Sequence, residues 1–205
     1  MEYTDKLEDN LIILQNELIL ETYEVGRYHI FYVYEPKKRL IMSLQFKDRV
    51  AQHAIYRVLN PLIEKRFISD SYACRVGKGT HKAIDRLQYW LRKTERKEEK
   101  FYYLKLDISK YFYRIDHEIL KQILKRQIAD QKVLNLLGKI IDCEDTKFGL
   151  PMGADIGDVA FDEMLDDVGL PIGNLTSQMF ANLYLNELDQ FCKHRLRLHY
   201  YIRYM

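Results

Sequence analysis

Asp107 is the residue of this sequence whose setting most directly suggests chemistry. It ends an apolar run, and Lys105 and Lys110 lie on either side of it. A carboxylate at the end of a rigid strand can hold a hard metal cation against a phosphate group. An isolated aspartate after a strand is also a common turn or helix cap, so this position alone leaves both interpretations open.

A basic region precedes this aspartate. Residues 27–100 hold 18 lysines and arginines against 8 aspartates and glutamates, although the whole chain carries a net charge of only +2. The local excess favours contact with a polyanion, with an affinity that falls as salt rises. A solvated charged face is the alternative. The clearest clusters are Lys37, Lys38 and Arg39, then Lys47 and Arg49, then Arg75 and Lys78.

An acidic segment lies further along the chain. Residues 142–168 hold nine acidic side chains and, as their only basic residue, Lys147. The spacing matches no EF-hand loop, so we interpret the segment as a surface insertion that keeps nucleic acid off one side. GLPMG at 149–153 and GLPIG at 169–173 are near copies, which we interpret as two turns and not as a structural repeat.

The composition of the 205 residues, 47% hydrophobic and 30% charged, is typical of a globular chain with its own core. No apolar run approaches the roughly 18 to 20 residues of a membrane span, and the N-terminus is acidic, so we expect a cytoplasmic chain that does not contact a membrane. The three cysteines form no CxxC pair, and we interpret them as buried or incidental thiols.

Hydrophobic periodicity predicts an α/β (α+β) chain. A first helix ends near Gly26, a hairpin turns at residues 35–38, and Thr80 caps a helix that continues past Trp90. The remaining predicted elements are helices at 48–67, 117–126, 131–141 and 177–194, and strands at 28–34, 39–44, 101–106 and 198–205.

Three segments in order, LKLDISKYF at 104–112, LPIGNLTSQ at 170–178 and YIRYM at 201–205, resemble the reverse transcriptases of bacterial retroelements. The resemblance covers roughly 27–205. It implies the fingers and an incomplete palm of a right-hand polymerase, without the thumb. Residues 1–98 would be fingers and 99–205 the first part of the palm, with 118–170 folding back onto the fingers.

The same resemblance assigns roles around the aspartate. Asp107 would be catalytic and bind both magnesium ions, and the backbone carbonyl of Ile108 would help one of them. Phe112 would exclude a 2′-hydroxyl by clash and so select deoxynucleotides. Without the motif, Phe112 would be an ordinary core aromatic.

The resemblance also assigns binding residues. In KKRLI at 37–41, Arg39 would grip the incoming triphosphate with its planar fork, assisted by Lys37 or Lys38. Arg75 and Lys78 would contact the template. In LPIGNLTSQ, Ile172, Gly173 and Gln178 would lie near the nucleotide.

The residues of LPIGNLTSQ indicate a subtype within the group II intron-like lineage. Many group II intron enzymes have a glutamine where this chain has Ile172 and a proline where it has Gln178. The present pattern is most similar to diversity-generating retroelements. Because Ile172 cannot donate a hydrogen bond near the nascent base pair, we expect reduced fidelity.

By this resemblance YIRYM stops just before the paired catalytic aspartates, with Tyr204 and Met205 as the first half of their motif. The family needs three carboxylates for two metal ions, so we expect this chain alone to be inactive. The implied partners are an RNA template, a DNA primer and deoxynucleoside triphosphates, with an accessory protein or retroelement RNA. The alternative is a non-catalytic RNA-binding or protein-interaction module.

Overall fold

The structure is a computed structural model that describes residues 2–34, 38–97, 100–143 and 145–204. Within these ranges it contains helices and one small sheet, which confirms the mixed fold class. The α-helices are α1 (Glu2–Asp5), α2 (Leu7–Ile19), α3 (Phe46–Glu64), α4 (Thr80–Glu95), α5 (His117–Lys125), α6 (Gln131–Asp142) and α7 (Leu175–Gln190). Short 3-10 helices span Tyr111–Arg114 and Phe161–Glu163, and a π-helical turn spans Phe191–Arg195. Among the helices described, none is both long and apolar enough to cross a membrane.

The predicted hairpin is confirmed. Strand β1 (His29–Val33) pairs antiparallel with β2 (Arg39–Ser43), and the register runs from His29 opposite Ser43 to Val33 opposite Arg39. The aromatic and branched side chains of both strands suit a pleated surface. The predicted turn residues 35–37, and with them Lys37, lie outside the described residues.

Two helices begin at aspartates that cap them. The Asp116 carboxylate accepts a hydrogen bond from Ile119 N at 2.8 Å, and the Asp130 carboxylate accepts one from Lys132 N at 2.9 Å. Each carboxylate satisfies a backbone donor that the first helical turn leaves unpaired. The predicted helices at 117–126 and 131–141 are therefore confirmed as α5 and α6.

Two predicted helix ends are wrong. Helix α2 ends at Ile19 and not near Gly26, because Glu21 adopts a φ of 60°, outside the helical region. Thr80 is not a cap, since Gly79 occupies the cap position of α4 with a φ of 114°. The Thr80 hydroxyl instead shares a 2.7 Å hydrogen bond with the Tyr204 hydroxyl.

Two predicted strands are also wrong. Residues 101–106 form no strand and are exposed throughout, and residues 198–204 contribute only an isolated parallel bridge between Ser71 and Arg203. Strand propensity depends on pairing and packing, so a β-rich run without a neighbouring strand does not form a sheet. Asp107 consequently ends an extended segment and not a rigid strand.

The chain divides into two compact units. The first unit comprises residues 1–59 and 110–177, and its core gathers residues from the hairpin and from the acidic segment. Phe148 contacts Tyr28 edge to face, with ring centroids 5.2 Å apart. The buried members of this cluster are Tyr28, Leu40, Met42, Leu44, Cys143, Phe148 and Met164.

That core corrects the expectation for the acidic segment. Residues 142–168 are not only a surface insertion, because Phe148, Leu150 and Met164 are at most 3% exposed. An isolated antiparallel bridge joins Gly149 to Leu165 within the segment. The acidic side chains that the structure describes in this segment are exposed or partly exposed. The segment therefore contributes to the first unit's stability as well as to its surface.

The second unit comprises residues 60–109 and 178–205. It contains α4, the later turns of α3 and α7, the segment around Asp107 and the segment 201–204. Helix α4 buries Ala83 and Trp90 and exposes a basic face. Two cations contact the Trp90 ring, with Arg86 4.8 Å and Lys193 5.5 Å from its centroid.

Candidate nucleotide-binding site

In the first unit, the segment Leu170–Asn174 lies against strand β2, which carries Arg39. The Met42 amide donates a hydrogen bond to the Ile172 carbonyl at 3.1 Å. Gly173 has a φ of 125°, and a Cβ added there would lie 3.3 Å from the Met42 carbonyl oxygen. Glycine is favoured at this position because it tolerates both the backbone angle and the close approach.

The same segment lies against the 3-10 helix that carries Phe112. The Leu170 amide donates to the Phe112 carbonyl at 2.7 Å, and the Gly169 amide donates to the Ile115 carbonyl at 2.8 Å. Phe112 is half-buried and packs edge to face on Tyr111. The structure therefore brings Phe112, Ile172, Gly173 and the strand of Arg39 into one region of the first unit.

The two near copies GLPMG and GLPIG lie side by side in this region. Leu150 N donates to the Tyr113 carbonyl at 3.3 Å, next to the carbonyl of Phe112 that receives the Leu170 amide. A Cβ on Gly169 would lie 2.6 Å from the Phe148 carbonyl carbon. The two glycine turns are thus a matched pair of supports for residues 111–115, a relation that their sequence similarity alone did not predict.

Basic and aromatic side chains lie at the ends of the hairpin. Arg39 is exposed at the start of β2, and the Lys38 ammonium lies 4.5 Å from the centroid of the Tyr32 ring. Burial, and then Tyr32, raise the pKa of Tyr113, whereas the nearby Arg39 charge lowers it. An exposed guanidinium beside aromatic rings has the chemistry to bind a nucleoside phosphate.

Buried polar contacts also hold the segment Leu170–Asn174 and the first turn of α7, which follows it. The Asn174 amide donates to the Tyr28 hydroxyl at 2.9 Å, and the Thr176 hydroxyl donates to Gln52 Oε1 at 2.8 Å. Asn174, Thr176 and Gln52 are each at most 4% exposed. Sequence reasoning missed this support, and its available signal was the run of small polar residues at the start of α7.

Asp107, Ile108 and Gln178, the other described candidates for nucleotide and metal binding, belong to the second unit. Asp107 and Gln178 are exposed, and Ile108 is 39% exposed. Asp107 supplies an oxygen ligand of the kind that hard divalent cations prefer. Among the described residues, no group of three or more potential metal-binding side chains gathers. The described residues therefore do not by themselves make up a two-metal site.

Arg75 and Lys78, the predicted template-binding residues, bind other groups of the second unit in this structure. The Arg75 guanidinium binds Glu64 Oε1 at 2.7 Å and donates to the carbonyls of Ile68 and Ser71 at the same distance. Lys78 Nζ donates to the Ser69 carbonyl, also at 2.7 Å. Burial, and then the Arg75 charge, lower the pKa of Lys78. Arg75 thus has a structural role here, and its contact with a template stays a prediction.

Lys110 also has an internal role, in the first unit. Its ammonium binds Asp155 Oδ1 at 2.5 Å and donates to the Ala154 carbonyl. Its backbone φ of 54° directs the chain into the 3-10 helix of Phe112. This lysine therefore connects the acidic segment to the 3-10 helix.

A mixed α/β unit that holds a cation, an aromatic ring and a glycine turn together defines a candidate site for nucleotides. The family model described as "Reverse transcriptase (RNA-dependent DNA polymerase)" matches residues 35–205. The chain belongs to the reverse transcriptase family, which confirms the resemblance inferred from its motifs.

The chain is also similar to several curated proteins. The chain is 27% identical over 192 residues to "Protein YkfC" of Escherichia coli (strain K12), covering 93% of this chain and 47% of that protein. It is 27% identical over 172 residues to "Group II intron-encoded protein LtrA" of Lactococcus lactis subsp. cremoris, covering 82% of this chain and 25% of that protein. "Nuclear intron maturase 1, mitochondrial" of Arabidopsis thaliana is 28% identical over 114 residues, covering 54% of this chain and 15% of that protein. The chain thus spans half or less of the length of these relatives.

Proposed function

We propose that this chain forms the fingers and the first part of the palm of an RNA-directed DNA polymerase. The observation that carries the proposal is the glycine segment Leu170–Asn174, which binds both the strand of Arg39 and the helix of Phe112 through backbone hydrogen bonds. Family membership supports the same activity. Residues 118–170 belong with the fingers in this proposal, because Phe148 and Met164 pack into the core of the hairpin.

Each residue then has a role in adding a deoxynucleotide to a DNA primer on an RNA template. Arg39, assisted by Lys37, grips the triphosphate, and Phe112 excludes the 2′-hydroxyl. Asp107 and the Ile108 carbonyl hold magnesium, the divalent ion we propose, when the site is complete. That ion would stabilise charge on the reacting oxygens.

The cytoplasmic location stays a prediction.

Arg39→Met tests the grip on the triphosphate in primer extension by the complete gene product. Loss of charge-assisted hydrogen bonds worth about 1.5 to 3 kcal/mol should raise the KM for deoxynucleotides by about ten- to a hundred-fold. Arg57→Met is the matched control, because Arg57 is an exposed arginine on α3 of the same unit. Equal KM values for the two variants would contradict the role of Arg39.

Ile172 supports an error-prone enzyme of the diversity-generating type. Its backbone is fixed by the bond from Met42, while its side chain is partly exposed and aliphatic. An aliphatic group cannot check base-pair geometry by hydrogen bonding. Ile172→Gln should therefore lower the misincorporation frequency in the complete protein, and an unchanged error spectrum would remove this part of the proposal.

A non-catalytic RNA-binding module is the second candidate, and the basic face of α4 favours it. Lys82, Arg92 and Lys93 are exposed on that helix. Phosphate contacts by these residues predict RNA binding that weakens with salt and persists in Asp107→Ala. Salt-sensitive RNA binding without primer extension by the complete gene product would favour this candidate over the polymerase.

A further inference from the structure

A buried ion pair in the second unit holds the segment Tyr201–Tyr204. Asp189, on α7, is fully buried, and Arg203 is 8% exposed. Arg203 Nε lies 2.9 Å from Asp189 Oδ1, and Nη2 lies 2.9 Å from Oδ2. The planar fork of the arginine therefore meets both carboxylate oxygens, which fixes orientation as well as distance.

Neighbouring polar groups complete this pair. The Tyr201 hydroxyl donates to Asp189 Oδ1 at 2.7 Å, and Arg203 Nη1 donates to Asn182 Oδ1 at 3.0 Å. The Asn182 amide in turn donates to the Ala73 carbonyl at 3.0 Å. A charge buried within such a network avoids the large penalty of an unpaired one.

Two backbone hydrogen bonds connect Arg203 to residues 70–72. Its amide donates to the Asp70 carbonyl, and its carbonyl accepts from the Tyr72 amide, both at 3.0 Å. At the end of the segment, the Tyr204 hydroxyl shares its 2.7 Å hydrogen bond with Thr80. Among the described residues, the bridge between Ser71 and Arg203 has no second bridge beside it, so backbone pairing specifies the register only weakly.

We propose that the Asp189–Arg203 pair is a positioning device that fixes the register of residues 201–204 against α7 and residues 70–73. Apolar side chains of similar volume would stabilise the unit as well or better, whereas a bidentate ion pair admits one placement. The inference rests on the proposed polymerase function for its catalytic consequence. There, the pair sets the position of Tyr204 and acts without touching substrate.

Trp90 provides a direct readout of this segment. It is the one tryptophan of the chain, and its ring packs edge to face on Tyr200 with centroids 5.6 Å apart. Lys193 lies over the same ring and donates to the His199 carbonyl at 3.1 Å. A segment that loses its anchor at Arg203 should therefore expose Trp90 to solvent.

The test compares acrylamide quenching of Trp90 in the wild-type chain and in Arg203→Met. The proposal predicts that quenching rises by about twofold or more while the far-ultraviolet circular dichroism is retained, because the segment opens locally. Arg195→Met is the matched control, since Arg195 is an exposed arginine of the same unit, and it should leave quenching unchanged.

Two further variants keep the test decisive. Tyr201→Phe removes the hydroxyl that donates to Asp189 and should raise the quenching of Trp90 by a smaller amount than Arg203→Met does. If Arg203→Met loses its helical circular dichroism signal, Tyr201→Phe is the variant that tests the proposal. Arg203→Lys keeps the charge but lacks the planar fork, so its quenching should lie between the wild-type level and the higher level of Arg203→Met. Unchanged quenching in a folded Arg203→Met, or in Tyr201→Phe when that variant must decide, would overturn the proposal.

Kinetics of the complete gene product separate positioning from plain stability. Arg203→Lys should lower kcat for nucleotide addition by about tenfold and leave the KM for deoxynucleotides nearly unchanged, because misplacement affects the chemical step. A lower Tm with unchanged kcat would overturn the positioning role. If quenching responds as predicted but the wild type extends no primer on RNA, the polymerase function fails and the anchoring of residues 201–204 stands.

Discussion

Two segments carry predicted binding residues in very different settings. They are Leu170–Asn174 in the first unit, with predicted nucleotide-binding residues, and Phe101–Ser109 in the second, with predicted metal-binding residues. The first is bonded through its backbone to Met42 and Phe112. The second is exposed along all nine residues and joins no strand. The proposed nucleotide site is thus built from contacts within its own unit, whereas Asp107, the proposed catalytic carboxylate, lies on a segment without sheet support among the described residues.

The largest expected effect separates activity from stability at Asp107. Asp107→Asn should lower primer extension by the complete gene product about a hundred-fold or more, because an amide replaces a charged ligand. The unfolding free energy should change by less than about 0.5 kcal/mol, since the residue is exposed. Asp166→Asn, another exposed aspartate, is the control. Full activity in Asp107→Asn would remove this residue from the mechanism.

Gly173→Ala should strain the well-supported segment. The side chain would meet a φ of 125° and the Met42 carbonyl at 3.3 Å, so we expect a loss of about 1 to 3 kcal/mol in unfolding free energy. Gly153→Ala is the matched control, because Gly153 also has a positive φ, 85°, but nothing within 4 Å of the added Cβ. Urea unfolding should show the larger loss at Gly173, and equal losses would mean that the contact with β2 contributes nothing.

Tyr28→Phe should lower the unfolding free energy by removing a buried hydrogen bond to the same segment. The substitution leaves the buried Asn174 amide without the hydroxyl that accepts its 2.9 Å hydrogen bond, which costs about 1 to 2 kcal/mol. Chemical denaturation measures the change. Tyr102→Phe, at a tyrosine that is 91% exposed, should be neutral. An unchanged unfolding free energy in Tyr28→Phe would show that this hydrogen bond does not stabilise the segment Leu170–Asn174.

A smaller effect is expected at alkaline pH. Burial, and then its hydrogen bond to Asp48, raise the pKa of Tyr23 far above the usual value near 10. The unfolded chain therefore loses this proton first, so stability present below about pH 10 should fall as pH rises further. Urea midpoints between pH 8 and 11 should fall less steeply in Tyr23→Phe than in the wild type. Parallel curves would contradict the assignment to Tyr23.

The sequence predicted elements whose signal is local. The aspartates before α5 and α6 and the alternating residues of the hairpin each carry their own physical cause. The strands at 101–106 and 198–205 could not be judged in this way, because a strand exists only when another strand pairs with it. The residue types of both segments favour strands, but neither segment has a neighbouring strand to pair with among the described residues.

The same limit applied to the candidate site. Motif resemblance selected Arg39, Phe112 and Gly173, which the first unit brings into one region. It did not reveal that Arg75 binds Glu64, or that Arg203 pairs with a buried aspartate. Partners far apart in sequence are chosen by packing, and no spacing along one chain encodes them.

Sugar selection at Phe112 tests the nucleotide site most directly. Single-nucleotide incorporation on an RNA template should be measured for the wild-type complete gene product, for Phe112→Ala and for the control Phe161→Ala, an exposed aromatic of the acidic segment. We predict that Phe112→Ala raises kcat/KM for ribonucleotides relative to deoxynucleotides by about tenfold or more, because the clash with the 2′-hydroxyl disappears. An unchanged ratio in Phe112→Ala would contradict the placement of the nucleotide between Phe112, Gly173 and Arg39.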